Sequence, residues 1–235
     1  MIRLQEYVGI ESEDVQDLLD TDLLRHDTDH PHRLYTVTPE GRKTIGESYR
    51  LGVDYGHGVG DLEESSQHVL AVEVARQYLE REYAQNPDSP VTTVHPYYEV
   101  SEGILSAAAF MGDADDAKEA LSEYEHHRLD CVGLDVDGEI IVTVEAERVN
   151  HDIKRAVPED FDKMAACEPE EVIWIVMSRQ AGHDVLAALN DPPEGEPRVE
   201  KNYSQNTPPQ QFRIDTPGLT AIYPVEYVRD TLLEE

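Results

Sequence analysis

The chain has 235 residues and is strongly acidic, with 50 Asp and Glu against 19 Lys and Arg and a formal net charge of -31. The acidic residues are spread along the whole chain, which excludes an acidic tail on an otherwise neutral protein. A hydrophobic content of 39% with clear helix and strand patterns excludes disorder for most of the chain. The sequence contains neither a secretory signal pattern nor a run of about 18 apolar residues, so we expect a cytoplasmic protein without a membrane partner.

The negative charge affects which partners the composition allows. Charges of one sign on a compact protein repel each other unless salt screens them, and at about 1 M salt the screening length falls to about 3 Å. The composition therefore resembles that of haloarchaeal proteins, which work in a salty cytoplasm. A nucleic-acid-binding protein normally shows a basic surface. A local basic patch can lie within an acidic surface, so DNA stays among the expected partners.

Residues 1–50 show the pattern of a small helix–hairpin–helix module. The predicted elements are a helix over 13–20, strands over 23–26 and 33–37, and a helix that begins at Thr38 and Pro39. Thr38 fits the N-cap of that helix and Pro39 its first position. This order, with the letters TPEGR directly after the hairpin, resembles the winged-helix modules of small DNA-binding regulators.

The most basic local cluster of the chain falls in this module. The resemblance implies that its positive side chains contact DNA phosphates, which supply much of the affinity of DNA-binding proteins. The expected DNA-binding residues are Arg25, Arg33, Arg42 and Lys43, together with Arg148 in the central region. The alternative is a packing or dimerisation module of the same shape, which would make the protein a homodimer.

Residues 51–61 are rich in glycine and predict a linker between two domains. Residues 62–190 then predict one α/β domain. Its elements are a helix over 62–83, strands over 91–100, 129–136 and 139–147, a helix over 152–166, a strand over 171–178 and a helix over 181–190. Residues 101–124 are ambiguous, with a helix over 115–125 as our expectation. The apolar run over 171–178 is typical of a strand buried on both faces.

The segment 128–148 predicts a β-hairpin that gathers three carboxylates. Asp137 and Gly138 form a two-residue turn in this prediction, because both tolerate a positive φ. Such a turn places Asp130 opposite Glu145, and Glu147 shares a face with Glu145 because side chains alternate along a strand. Three carboxylates this close repel each other, and a divalent cation with oxygen ligands is the usual compensation. The alternative is that the glutamates form the solvent-facing half of a two-faced strand.

The order helix, three strands, helix, strand, with carboxylates on the second and third strands, resembles the PD-(D/E)XK nuclease superfamily. That family carries Asp at the start of its second strand and Glu-x-Lys on its third. Asp130 and the segment Glu145-Ala146-Glu147 occupy these positions. The resemblance implies an α/β (α+β) fold with a restriction-endonuclease-like αβββαβ core, and hydrolysis of a phosphodiester. The sequence departs from the motif at Glu147, which stands where the family has Lys.

The resemblance also implies a set of site residues and a cofactor, Mg²⁺ or Mn²⁺. The implied metal ligands are Asp130, Glu145 and Glu64, and the implied catalytic residues are Asp130, Glu145, Glu147 and Lys154. In some members of the superfamily the Lys has moved to the following helix. Lys154 is our first choice for that role and Lys163 the less favoured one.

Residues 191–235 begin with a stiff polar linker over 191–197. Strands over 212–215 and 219–223 are predicted to form a hairpin, followed by a helix over 224–233. This hairpin either extends the central sheet or caps the N-terminal module. The sequence shows no chemistry in this region.

Three functions remain open from the sequence. The first is a DNA-binding protein of a halophilic plasmid or mobile element, a replication or regulatory factor whose nuclease-like domain has lost catalysis. A winged-helix segment ahead of a nuclease-like domain also resembles the replication-relaxation proteins of plasmids and mobile elements. The second is a metal-dependent DNA endonuclease that uses the carboxylates of the hairpin. The third is a structural or oligomerisation protein that does not act on DNA.

Overall fold

The computed structural model describes residues 11–28, 33–45, 66–100, 128–147 and 152–233. The chain divides into two compact units, Met1–Val69 and Leu70–Glu235. The helix predicted over 115–125 lies outside the described residues. Within the described residues, no helix is both long and apolar enough to cross a membrane.

In its described residues, the N-terminal unit shows two short helices and a two-stranded antiparallel sheet. Its elements are α1 (Ser12–Asp20), β1 (Leu24–Thr28), β2 (Leu34–Val37) and α2 (Pro39–Thr44). Thr38 caps α2 as predicted, because its hydroxyl accepts a hydrogen bond of 3.0 Å from the backbone N–H of Gly41. Pro39 follows at the first helical position, where its missing N–H costs nothing.

The C-terminal unit is built on one mixed five-stranded sheet. Its strands are β3 (Thr93–Glu99), β4 (Arg128–Leu134), β5 (Ile140–Glu147), β6 (Glu171–Val176) and β7 (Ala221–Pro224), and they lie in this order across the sheet. The first three strands are antiparallel, whereas β6 pairs parallel to β5 and β7 pairs parallel to β6. The protein is therefore of mixed α/β class, as the sequence predicted.

The described helices that accompany this sheet are α3 (Ser66–Leu79, continued by a π-helical turn over Glu80–Ala84), α4 (Ile153–Ala166), α5 (Arg179–Asn190) and α6 (Val225–Leu233). The first residues of α3 precede Leu70 and are assigned to the N-terminal unit. α4 joins β5 to β6, and α5 lies between β6 and β7 in the chain, as parallel pairing requires a crossover. Ser178 caps α5 by accepting a hydrogen bond of 3.1 Å from the backbone N–H of Ala181.

The core lies between the sheet and helices α4 and α5. Trp174 of β6 is fully buried there beside Phe161 and Met164 of α4 and Val185 of α5. Every residue of β6 after Glu171 is buried, which confirms the predicted doubly buried strand. The indole N–H of Trp174 donates a hydrogen bond of 2.9 Å to the carbonyl of Gly218, so its one polar atom is satisfied.

The C-terminal region differs from the prediction. Residues 212–215 are not a strand, and the expected hairpin is wrong. A single bridge between Thr216 and Leu219 closes a tight turn instead. Only Ala221–Pro224 forms a strand, and it extends the central sheet by parallel pairing with β6. Apolar burial decides this outcome, because Phe212 and Ile214 both join the core that α5 covers.

Gly218 tests how tightly this core is packed. A Cβ at position 218 would lie 2.5 Å from the carbonyl oxygen of Phe161 and 2.6 Å from its ring. We therefore expect Gly218→Ala to lower the free energy of unfolding by about 1–3 kcal/mol through overpacking. Urea denaturation followed by tryptophan fluorescence measures the change. Gly138→Asn is the matched control, because position 138 has open space and Asn tolerates its φ of +83°. Equal stability of Gly218→Ala and the wild type would contradict this packing.

Candidate active site on the β4–β5 hairpin

The β4–β5 hairpin pairs as predicted but turns differently. The backbone N–H of Asp135 bonds to the carbonyl of Glu139 at 3.1 Å, which encloses a three-residue loop, and Gly138 has a φ of +83°. The predicted two-residue turn is therefore wrong. A shift in register between Gly133 and Leu134 compensates for the extra loop residue. Cys131 consequently pairs with Val144, which is the pairing that the two-residue turn predicted.

Asp130, Glu145 and Glu147 are all buried. Their exposed fractions are 8%, 8% and 6%. By strand alternation they share the sheet face of Val132 and Trp174, which belong to the core beneath α4. The alternative of a solvent-facing polar strand is therefore wrong, because that face is covered.

Asp130 fastens the end of the hairpin. Its Oδ2 accepts a hydrogen bond of 2.8 Å from the backbone N–H of Ala146, on the neighbouring strand. This bond holds the carboxylate beside the segment that carries Glu145 and Glu147. A charge-assisted bond of this kind is stronger than a neutral one, so the carboxylate is positioned rather than free to rotate.

Glu145 is the most unusual group of the site. Its Oε2 is buried and has no hydrogen-bond partner among the described residues. Burial raises the pKa of Glu145 well above its usual range, and repulsion by Asp130, Asp160 and Glu147 raises it further. Lys163 acts in the opposite direction and lowers that pKa. A buried carboxyl oxygen without a partner is costly, and such groups concentrate at functional sites.

Helix α4 supplies the other two charged groups. The Lys163 ammonium lies 2.6 Å from Oδ1 of Asp160, and both side chains are only 21% exposed. Burial lowers the pKa of Lys163, but attraction to Glu145, Asp160 and Asp130 outweighs it and the pKa rises. Burial raises the pKa of Asp160, Lys163 lowers it and Asp130 raises it. The four charges therefore form one electrostatic group beneath α4.

The two lysines considered from the sequence lie in different places. Lys154 is 69% exposed, and its ammonium lies 3.8 Å from Asp191 on the surface. Lys163, the less favoured choice, is the one of the two that interacts electrostatically with Asp130 and Glu145, at longer range than an ion pair. α4 runs back along the sheet after β5, which brings a lysine three turns into the helix toward the carboxylates.

Asp160 was not expected from the sequence at all. Its one signal is its position beside the apolar stripe of α4, next to Phe161 and one turn before Lys163. An acidic residue at the edge of an amphipathic helix is common, so this signal selects no residue by itself.

The other predicted site residues are either outside the described residues or part of the N-terminal unit. Glu64 and Arg148 lie outside the described residues. In the N-terminal unit, Arg25 of β1 and Arg33 before β2 are exposed, and Arg42 lies within α2. Lys43 of α2 is 78% exposed, and its ammonium lies 3.5 Å from Glu40.

A divalent cation can be tested against the residues present. Within the described parts of the chain, no group of three or more His, Cys, Asp and Glu side chains is arranged to hold a metal ion. Asp130 and Glu145 nevertheless supply carboxylate oxygens, the donors that Mg²⁺ and Mn²⁺ prefer. The buried Oε2 of Glu145, which has no hydrogen-bond partner in the part of the chain that the structure describes, fits such a cation, since a positive charge there would offset its burial.

Comparison of the chain with protein-family models, with curated proteins and with solved structures gave no match. The functional argument therefore depends on the geometry of this site.

The raised pKa of Glu145 predicts how the stability of the folded protein depends on pH. Its pKa is higher in the folded chain than in the unfolded chain, so the folded state binds more protons and stability falls as pH rises above the ordinary range of Glu. We expect Glu145→Gln to remove the part of this fall in stability that Glu145 causes. Each pKa unit by which folding raises the pKa of Glu145 corresponds to about 1.4 kcal/mol of unfolding free energy. Urea denaturation of metal-free protein between pH 4 and pH 8 measures it. Glu139→Gln, at an exposed position, is the control. A wild type and a Glu145→Gln variant with parallel pH profiles would contradict the burial of this charge.

Proposed function

We propose that the chain is a DNA-acting protein whose C-terminal unit is a metal-dependent phosphodiesterase. The observation that carries this proposal is the position of Lys163 on α4. Its side chain is only 21% exposed, and its ammonium lies 2.6 Å from Asp160 and attracts Asp130 and Glu145, carboxylates from two neighbouring strands, at longer range than an ion pair. Carboxylates that can hold a metal ion, with a cation near them, suit metal-assisted hydrolysis of a phosphodiester.

The order and pairing of the elements support the same proposal. α3 precedes three antiparallel strands, then α4 crosses to β6, which pairs parallel to β5. This is the αβββαβ order of the PD-(D/E)XK resemblance, with β7 added at the edge of the sheet. In that interpretation Glu147 occupies the place of the usual Lys, and Lys163 supplies the missing positive charge from the helix.

Asp130 and Glu145 are the residues that would hold Mg²⁺ or Mn²⁺. Such an ion, when bound, lowers the pKa of a coordinated water and offsets negative charge on the phosphate. Asp130 is already oriented by its bond to Ala146, so its carboxylate needs little rearrangement. Glu145 holds its proton more tightly than an exposed Glu does. A metal cation that replaced this proton would stabilise the ionised carboxylate.

Lys163 performs the part that the chain itself supplies. Its ammonium lies within a largely buried group of acids, where a charge interacts more strongly than at the surface. From there it stabilises the negative charge that develops on a phosphate during hydrolysis. Glu147, buried on the same face, is an acceptor for a proton released by the attacking water.

The N-terminal unit favours DNA as the substrate. A helix, an antiparallel hairpin and a second capped helix follow each other, which is the order of the winged-helix resemblance. Arg25, Arg33 and Lys43 carry exposed positive charges in a chain of net charge -31. A replication or regulatory factor that binds DNA through this unit without cleaving it is the second candidate function, and the same observation favours it.

Plasmid cleavage distinguishes the two candidates. We expect the wild type to nick or linearise supercoiled DNA with Mg²⁺ or Mn²⁺ in about 2 M KCl, a salt level that screens the acidic surface. Asp130→Asn and Lys163→Met should each lower the rate by about 100-fold or more, since they remove a positioned charge from the transition state. Lys154→Met is the matched control and should cleave as the wild type does. Agarose electrophoresis measures the rates.

Two results would contradict the nuclease proposal. One is cleavage that Asp130→Asn and Lys163→Met leave unchanged. The other is wild-type protein that binds DNA and does not cleave it with either cation, which supports the second candidate.

DNA affinity tests the role of the N-terminal unit. Replacement of Arg33 and Arg42 by Ala in the full chain should weaken duplex binding, and log affinity should become less steep against log salt by about one for each lost phosphate contact. Fluorescence anisotropy across a KCl series measures both quantities. Lys201→Ala, a lysine of the C-terminal unit, is the control. Unchanged affinity and slope in the double variant would exclude these arginines from the DNA interface.

A further inference from the structure

The proposed function leaves open what keeps the Lys163 ammonium among the acids beneath α4. A lysine ammonium sits on a flexible four-carbon stem and is strongly hydrated, so it tends to extend into water. Here the side chain is 21% exposed, although burial alone disfavours its charged form. Something on the protein must therefore hold it in place.

Asp160 is placed to do this. It precedes Lys163 by three residues on α4, so the two side chains lie on one helix face. Its Oδ1 accepts a hydrogen bond of 2.6 Å from the Lys163 ammonium. Asp160 also acts on Glu145, whose buried Oε2 has no partner among the described residues. The pair is thus largely buried, within electrostatic reach of this carboxyl, rather than on an open surface.

We propose that Asp160 is a positioning residue that holds the Lys163 ammonium within electrostatic reach of Glu145 and Asp130. Asp160 touches Lys163 and acts on the reaction through it. As a statement about the reaction this inference rests on the proposed function, whereas its structural part stands on the α4 contact alone.

The chain contains a matched pair for comparison. Lys154 and Asp191 are 69% and 88% exposed and 3.8 Å apart, whereas Lys163 and Asp160 are both 21% exposed and 2.6 Å apart. Salt screens exposed charges far more than buried ones. The Asp160–Lys163 pair should therefore persist at a salt concentration that dissociates Lys154 from Asp191. Burial of the Asp160–Lys163 pair thus keeps the Lys163 ammonium in place even in concentrated salt.

The contact can be measured in metal-free protein without substrate. Ammonium protons held in a hydrogen bond away from water exchange slowly, whereas exposed ones exchange quickly. The chain has five lysines, so the Nζ signals in a ¹H–¹⁵N spectrum are few, and Lys163→Arg identifies the signal of position 163. We expect this signal to be protected in the wild type in both dilute salt and about 2 M KCl.

Variants of the partner decide the assignment. Asp160→Ala should abolish the protection, Asp160→Glu should restore most of it, and Asp191→Ala should leave it unchanged. If Asp160→Ala fails to fold, Asp160→Asn removes the charge at equal size and should reduce the protection. A signal that remains protected in Asp160→Ala or Asp160→Asn, or that is unprotected in the wild type, would overturn the proposal.

The cleavage assay then tests the functional consequence. Asp160→Ala should lower kcat by about tenfold with little change in KM, because misplacing a catalytic group affects the reaction more than substrate binding. In a Lys163→Met background the same change should have no further effect, since Asp160 acts through that lysine. An undiminished effect in that background would overturn the proposal.

The two proposals fail in different ways. Protected Lys163 protons that depend on Asp160, in a protein that cleaves no DNA, would refute the phosphodiesterase and keep the pairing. Cleavage by the wild type that Asp160→Ala leaves unchanged would refute the positioning role and keep the phosphodiesterase.

Discussion

Burial of negative charge beneath helix α4 is the constraint on which the C-terminal unit depends. Asp130 and Glu145 leave water on the covered face of the sheet, where a lone charge is costly. Two interactions offset part of this cost: the hydrogen bond from the backbone N–H of Ala146 to Asp130 and the electrostatic attraction of Lys163. Glu145 retains a carboxyl oxygen that has no hydrogen-bond partner among the described residues, so the compensation within them is incomplete. Well-packed apolar residues at these positions would fold at least as easily.

An uncompensated buried acid is a reason to look for a ligand or a reaction. Perturbed carboxyl groups concentrate where proteins bind cations or transfer protons, although structural ion pairs perturb them too. The distribution of positive charge points the same way. In a chain with 19 basic and 50 acidic residues, Lys163 is placed among acids and largely buried, where salt screens its charge little.

Features that depend on a few neighbouring residues could be predicted from the sequence, whereas features that depend on distant parts of the chain could not. The Thr38 cap and the buried strand Glu171–Val176 were predicted correctly, because a cap or an apolar run is a local property. The hairpin was predicted with the right pairing and the wrong turn, since a bulge at Gly133 and a longer loop cancel. The C-terminal hairpin was wrong because Phe212 is held by the core and not by a neighbouring strand. The sequence favoured Lys154 over Lys163. Which lysine approaches the carboxylates depends on how far α4 runs back along the sheet, and the sequence carries no signal for that.

The sequence by itself determined the acidic composition, the mixed α/β class and the placement of Asp130 beside Glu145 on adjacent strands. Each of these depends on counting, on periodicity or on pairing between neighbouring segments. The tertiary structure alone decided that the carboxylates are buried, that β7 completes the sheet and that Lys163 and Asp160 join the site. The physical reason is that these features require a helix and a sheet to pack, and packing brings together side chains whose separation along the chain carries no local signal.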